Sequence, residues 1–240
     1  MRTKIILTFF TLIVSIVVYS QDADEILTNY FENTGGLNTW KNLKTMKIKA
    51  TLDQGEMQLS AVIFRKEPDL SRTEIDVQGK TIVQAYDGVT GWMINPMMGS
   101  EEPQKMPEEM VEAMKEEKFE SELIDYKEKG NTVDLEGTEV VEGTETYKIK
   151  LTKKNGDVEY YFFDTEYFVP IMERRVIKVG PAKGQESETY ISDYQEVDGL
   201  MVPFFIEVKS NGQSIQKLTV EEYVLNESIE DTLFAYPKEE

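Results

Sequence analysis

Apolar and polar residues alternate along most of this chain, a period of two that is typical of half-buried β-strands. Met46, Ile48 and Ala50 alternate with lysine and threonine, and Leu59 and Ile63 share one face of the next segment. Short turns separate successive segments, which favours antiparallel pairing. The pattern predicts about ten antiparallel strands, the others near residues 70–78, 81–86, 92–94, 147–152, 158–163, 171–179, 188–197, 201–209 and 214–224.

Helical periodicity interrupts the strands at the start and in the middle of the chain. Asp22 or Asp24 can cap a first helix, which Gly35 ends, and a short helical turn follows it. In the middle, Asn95-Pro96 ends a strand and Pro107 opens a helix, since proline suits a first helical position. A second short helix is predicted from Phe119 to near Gly130.

A sheet of this many strands tends to curl, because the twist of each strand accumulates. Helices inserted at one place would then cover its concave face, and the space between is a usual site for apolar ligands. We therefore predict a mainly β (α+β) fold. It is a strongly curved antiparallel sheet with a helical lid over an apolar cavity.

The middle helix carries a face of methionine side chains and an opposite face of glutamates. One interpretation is that the helix simply covers a core, as amphipathic helices usually do. The other is that it forms a lid that adapts to ligands, because methionine is flexible and polarizable. On the second interpretation, the predicted residues of the cavity and lid are Leu59, Ile63, Trp92, Ile94, Met110, Val111 and Met114.

The first residues have the composition of a secretory signal. Arg2 and Lys4 precede an apolar run at residues 5–18, and Ser20 closes a site with the residues that a signal peptidase prefers. A membrane anchor is the alternative, but the run is shorter than the ~20 residues of a typical span. We expect residues 1–20 to be cleaved, leaving a single domain over residues 21–240 in the periplasm without a stable membrane anchor.

Charge and composition exclude several function classes. The formal net charge of −19 disfavours nucleic acid and anionic membranes as partners. The chain contains no histidine and no cysteine, which excludes Ser-His-Asp, Cys-His and His-ligated metal chemistry within it. The glutamates of the middle helix fit a solvated face. The sequence therefore predicts no catalytic residue, no metal site, no cofactor and no enzymatic activity.

Short motifs in this order resemble the LolA-like family of periplasmic carriers for outer-membrane lipoproteins. They are Asp87-Gly88 with Trp92 and Asn95-Pro96 before a helical insertion, Phe64-Arg65-Lys66 with Pro68 and Leu70, and a closing Ile229, Asp231, Phe234 and Pro237. The resemblance covers essentially the whole chain after the signal. It implies an incomplete barrel, a lid insertion at about residues 97–130, and a cavity for acyl chains without catalysis.

One departure concerns the tether of the lid. In the resembling family an arginine before the proline holds the lid, but this chain has Glu67 there. Arg65 lies two residues after Ile63 on the same predicted strand, so both side chains point to the same face. Arg65 is therefore the alternative tether. The resemblance implies an acylated lipoprotein or lipid as ligand, inner- and outer-membrane sorting components as further partners, and a monomer.

Two functions stay open at this stage. The protein is either a soluble carrier that shields acyl chains from water, or a lipid-sensing or partner-binding module of the same fold. The sequence does not separate them, and an enzyme ranks last.

Overall fold

A computed structural model describes residues 22–237 except Glu56 and Pro181, so the predicted signal peptide lies outside the described residues. One sheet of thirteen antiparallel strands dominates the fold. The first meander comprises β1 (Thr45–Gln54), β2 (Met57–Lys66), β3 (Leu70–Val77), β4 (Lys80–Tyr86), β5 (Gly91–Asn95) and β6 (Ser100–Lys105). The second comprises β7 (Thr132–Val141), β8 (Thr144–Thr152), β9 (Val158–Asp164), β10 (Pro170–Val176), β11 (Glu186–Val197), β12 (Leu200–Ser210) and β13 (Gln213–Leu225).

The two meanders join through the pairing of β1 with β13, which leaves β6 and β7 at the two ends of the sheet. β6 and β7 are consecutive in sequence but not hydrogen-bonded to each other, so the sheet is open rather than a closed barrel. Residues 106–131, which connect them, must therefore span the gap between the ends. The predicted open, curved antiparallel sheet is confirmed.

Strand register defines two faces of the sheet. Residues that pair across neighbouring strands share a face, and one such row runs through Met46, Arg65, Ser71, Tyr86 and Gly91. We call this the inner face. The adjacent row points the opposite way, to the outer face, because side chains alternate along a strand, and it contains Lys47, Phe64, Arg72, Ala85 and Trp92.

Two helices fill part of the inner face: α1 (Ala23–Asn33) and α2 (Leu37–Lys41). Asp22 caps α1 by accepting a 2.8 Å hydrogen bond from Glu25 N. The buried face of α1 packs on the second meander, in a core formed by Ile26, Leu27, Phe31, Leu123, Ile124, Ile149, Leu151 and Phe163. Gly35 links α1 to α2, and a β-carbon there would lie 2.0 Å from Gly199 O.

The third helix, α3 (Glu108–Glu116), follows Pro107 as predicted, although Pro107 is its N-cap rather than its first residue. The predicted helix from Phe119 to near Gly130 is wrong, because this segment forms bends and turns. Asp69 accepts the Phe119 N–H at 2.9 Å, and Asp125 has a left-handed φ of 47° that interrupts a helix.

The chain after β13 crosses the outer face of the first meander. Arg72 donates to Leu233 O at 3.0 Å, and Trp92 Nε1 donates to Phe234 O at 2.7 Å. The Phe234 side chain is fully buried. The closing segment that the sequence motif marked is thus a cover for the outer face, away from the helices.

Candidate functional site

A cavity of about 360 Å³ remains on the inner face where the helices do not fill it. Part of its wall is apolar, and the rest is charged. The apolar lining comes from Phe31, Trp40, Leu43, Met46, Phe119 and Ile124. The charged lining includes Arg65, Lys153, Glu159, Glu173 and Arg175. The sequence predicted an apolar cavity, and the observed wall is mixed because β9 and β10 bring glutamate and arginine to the inner face.

A second cavity of about 410 Å³ adjoins the first beneath α3. The two share Glu116 and Glu117 from the end of α3, and Glu159 and Arg175 from the sheet. Each volume lies within the range of roughly 300–1,000 Å³ that is usual for small-molecule sites. Together they form one cleft between the sheet and α3.

Few buried contacts hold α3, and no residue of this helix is buried. On one side Val111 packs on the bare backbone of Gly91 in β5. On the other side Glu109 accepts a hydrogen bond from Gly180 N at 2.8 Å, and Lys178 bonds Glu116 at 3.0 Å. A helix held by exposed ion pairs and little apolar burial opens at low cost.

Arg65 holds the chain at the end of α3. Its guanidinium donates to Glu117 O at 3.2 Å and Lys118 O at 2.9 Å, and it lies 3.4 Å from the Glu117 carboxylate. The Arg65 Nε is buried and has no hydrogen-bond partner within residues 22–237 as described. Arg65 lies on the inner face and reaches the end of α3, and its role as a lid tether stays a prediction. Glu67 instead bonds Lys44 at 2.6 Å.

An ion pair and an adjacent carboxyl group form the polar end of the first cavity. Lys153 Nζ lies 2.7 Å from Glu159, and both side chains are largely buried. Glu173 lies next to this pair on β10 and is half-buried. Burial, followed by the negative charge of Glu159, raises the pKa of Glu173 to about 7, despite the opposing charges of Arg175 and Lys153.

Two tyrosines complete this polar end. Tyr161 donates to Glu159 at 3.1 Å, and Tyr30 of α1 lines the same cavity. Burial raises the pKa of both phenols well above the usual value. Both therefore remain neutral hydroxyl groups at any physiological pH.

The structure separates the residues that the sequence grouped at the cavity. Leu59 and Ile63 lie on the inner face, with the parity of Arg65, and are half-buried. Trp92 and Ile94 lie on the outer face, where they pack with Val83. The prediction that Trp92 borders the cavity therefore needs correction, because the residue with inner-face parity at that turn is Gly91.

The predicted methionine face of the lid is also arranged differently from the expectation. The two cavities are lined by Ala113 and Glu116 of α3 and by Glu117, which caps its C-terminus. Val111 contacts β5, Met114 is half-buried and Met110 is 37% exposed. In this closed arrangement, the methionines lie beside the cleft rather than at its wall.

Sequence reasoning missed the polar end of the cavity. Lys153 and Glu159 flank the Asn155-Gly156 turn. The hairpin register places Glu159 opposite Leu151, so Glu159 and Lys153 are diagonal neighbours on one face. Glu173 and Arg175 occupy alternate positions of one strand, which indicates a shared face. Nothing in the sequence indicates which face, so the link to the cavity needed the structure.

Within the part of the chain that the structure describes, no group of three or more acidic side chains is placed to hold a metal ion. No helix among these residues is both long and apolar enough to cross a membrane.

No protein-family model matches the sequence, and no curated protein matches it. Several solved structures, in contrast, match its fold. A DUF1329 family protein from Desulfovibrio piger superposes with a TM-score of 0.58 at 13% identity, over 90% of this chain and 98% of that one. A LolA superfamily protein from Nitrosomonas europaea superposes with a TM-score of 0.55 at 12% identity, over 90% of this chain and 98% of that one.

An outer-membrane lipoprotein-sorting protein domain from Vibrio parahaemolyticus gives a TM-score of 0.53 at 10% identity, over 88% of this chain and 94% of that one. At these identities the likeness concerns the fold alone. The chain has a LolA-like fold, as the sequence motifs indicated.

Proposed function

We propose that the protein is a soluble periplasmic carrier that holds acyl chains of a lipid or lipoprotein between the inner face and α3, for transfer toward the outer membrane. It would act as a monomer after loss of residues 1–20. One observation carries the proposal: α3 has no buried residue, yet it covers two adjoining cavities of about 360 and 410 Å³. A helix that served only as core covering would bury its apolar face.

The energetics of an acyl chain suit this arrangement. Burial is worth ~0.8 kcal/mol per methylene, so a chain of about fifteen methylenes gains on the order of 12 kcal/mol on leaving water. The apolar wall around Trp40, Leu43 and Phe119 provides the first part of such a surface. Lifting α3 would add its methionine face to that surface, and thioether side chains adapt to an irregular ligand at low cost.

Binding of a fluorescent acyl probe, cis-parinaric acid, tests the proposal. Wild-type protein should bind the probe, and a double variant Met110→Glu/Met114→Glu should bind it much more weakly, because a chain under the lid would contact unpaired carboxylates. The matched control is Met57→Glu/Met98→Glu, which changes two exposed methionines, 52% and 79% accessible, to the same residue. The control should bind as the wild type does.

Transfer distinguishes a carrier from a sensor. Loaded protein mixed with acceptor vesicles should release the probe to them without a second protein. Wild-type protein that never binds the probe, or a lid variant that binds it normally, would overturn the proposal. Mass spectrometry of lipids extracted from the native protein would identify the natural ligand.

A further inference from the structure

Glu173 and Arg175 stand apart among the charged groups of the first cavity, because neither has an ion pair among the described residues. Most of the others have ion pairs within the described chain: Lys41 with Asp125, Arg65 with Glu117, Glu67 with Lys44, Glu116 with Lys178, Lys118 with Asp69, Glu120 with Lys129, Lys153 with Glu159, and Arg174 with Glu188. Glu122 accepts a hydrogen bond from Asn131. Glu173 has neither an ion pair nor a side-chain hydrogen bond among the residues that the structure places, and its carboxyl lines the cavity.

Two of the groups around Glu173 are occupied elsewhere, and the third, Arg175, is exposed and has no ion pair among the described residues. Tyr161 of β9 lies opposite Glu173 in the sheet and donates its hydroxyl hydrogen bond to Glu159. Lys153 is held by Glu159 at 2.7 Å. Arg175 lies two positions along the same strand, opposite Glu159, and is solvent-exposed. The acceptor oxygens of Glu173 are therefore open to whatever enters the cavity.

We propose that Glu173 recognises an ammonium head group, so that the ligand of this cavity is a long-chain amphiphile carrying a protonated amine. The proposal rests on the proposed function, because it assigns the polar end of the same site. A carboxylate without a partner in a desolvated place is unfavourable, and a charge-assisted hydrogen bond from an ammonium group relieves it. An anionic head group there would face Glu159 and Glu173, with Lys153 already paired to Glu159 and only the exposed Arg175 left to bind it.

The apolar wall lies where the chain of such a ligand would begin. Trp40, Leu43 and Phe119 line the same cavity as Glu173, so one molecule can contact both ends. The adjoining cavity beneath α3 extends the space for the rest of the chain.

The affinity for an amine should rise between pH 6 and pH 8, as Glu173 loses its proton. The other ionisable groups facing Glu173 are Glu159 and Tyr161 of β9, Lys153 in the turn before β9, Arg175 of β10, Tyr30 of α1, and Tyr194 of β11, whose pKa burial also raises. Lysine and arginine keep their protons in this range, and Tyr30 and Tyr161 stay neutral because burial raises their pKa.

Calorimetric titration with three ligands of one chain length tests the assignment: hexadecylamine, hexadecanol and palmitate. At pH 8 the wild type should bind the amine most tightly. Glu173→Gln should lower the affinity for the amine about tenfold or more, because a hydrogen bond to a charged group usually contributes that much. The affinity for the alcohol should not change. Glu102→Gln, an exposed position on β6, is the control of equal charge and should retain the preference.

The outcomes separate this inference from the proposed function. If none of the three ligands binds, the carrier proposal fails and the head-group assignment fails with it. If the ligands bind but amine and alcohol bind equally, or if Glu173→Gln keeps the preference for the amine, the head-group assignment alone is wrong.

Discussion

Val111 of α3 rests on Gly91 of β5 at a distance that leaves no room for a side chain. A β-carbon at position 91 would lie 2.8 Å from Val111 Cγ2 and 3.3 Å from Met106 Sδ. Met106 N also donates to Gly91 O at 2.9 Å, so the chain entering α3 is fixed to the same residue. The helix lies this close to the sheet only because residue 91 is glycine.

Gly91→Ala should therefore push α3 away from β5 without disturbing the core on the other meander. We expect hydrogen exchange of the α3 amides to accelerate several-fold, because local opening of a weakly held segment governs exchange there. The double variant Gly91→Ala/Val111→Ala should restore much of the protection, since it removes the methyl groups that collide. Unchanged exchange in the single variant would show that Val111 does not seat the helix.

Replacing Arg65 tests the tether at the other end of the lid. Lysine keeps the charge but cannot reproduce the planar fork that reaches two carbonyl oxygens and a carboxylate. Arg65→Lys should lower the free energy of local opening at residues 117–119 by about 1 to 3 kcal/mol, as for lost hydrogen bonds to a charged group.

Arg72→Lys is the matched control for the tether. Arg72 lies on the outer face, where it bonds Glu74 and Leu233 O. Its replacement should loosen the C-terminal segment and leave exchange at residues 117–119 as in the wild type. Equal effects of both variants at that segment would mean that Arg65 acts through general stability only.

The fold followed from the sequence wherever strands have one apolar and one polar face. Met46 and Ile48 mark β1 clearly, since alternation is a strong signal. β6 and β7 were missed, because they are edge strands with little to bury. β6 is polar and contains Pro103, and β7 has an irregularity near Gly137. The lid connection is shorter than predicted, since β6 occupies Ser100–Lys105.

The site was less predictable than the fold. Arg65 shares the inner face with Ile63, a relationship that the sequence can indicate because the side-chain alternation of a strand is a local property. The sequence places Trp92 at the cavity because it lies close to the lid along the chain. In the structure, the adjacent Gly91 lies on the inner face and Trp92 on the outer face. Which strands oppose each other across the opening depends on the pairing of β1 with β13, a long-range contact that no local pattern encodes.

Glu173 should weaken the fold as the pH rises. Its pKa of about 7 lies above the usual glutamate value of 4.5, so the folded state binds more protons than the unfolded state between these values, and stability falls through that window. Glu173→Gln should raise the free energy of unfolding by about 1–2 kcal/mol at pH 8, after allowance for solvent access, and change it little at pH 4. Urea denaturation at both values checks this, with Glu102→Gln as control.

Tryptophan fluorescence should report ligand entry through Trp40 and not through Trp92. Trp40 lines the cavity and donates from its indole to Thr34 Oγ1 at 2.9 Å, so a chain at that wall would change its surroundings. Trp92 is 2% exposed on the outer face and bonds Phe234 O, which shields it from the cavity. We expect a fatty acid or lipopeptide to shift the emission of the wild type.

The two Trp→Phe variants locate the origin of that shift. Trp92→Phe should retain it, because the cavity is unchanged, while losing stability through the broken hydrogen bond to Phe234 O at a buried site. Trp40→Phe should abolish the shift and still bind the ligand, as measured by calorimetry. A shift that survives in Trp40→Phe and vanishes in Trp92→Phe would place the ligand on the outer face, beneath the C-terminal segment.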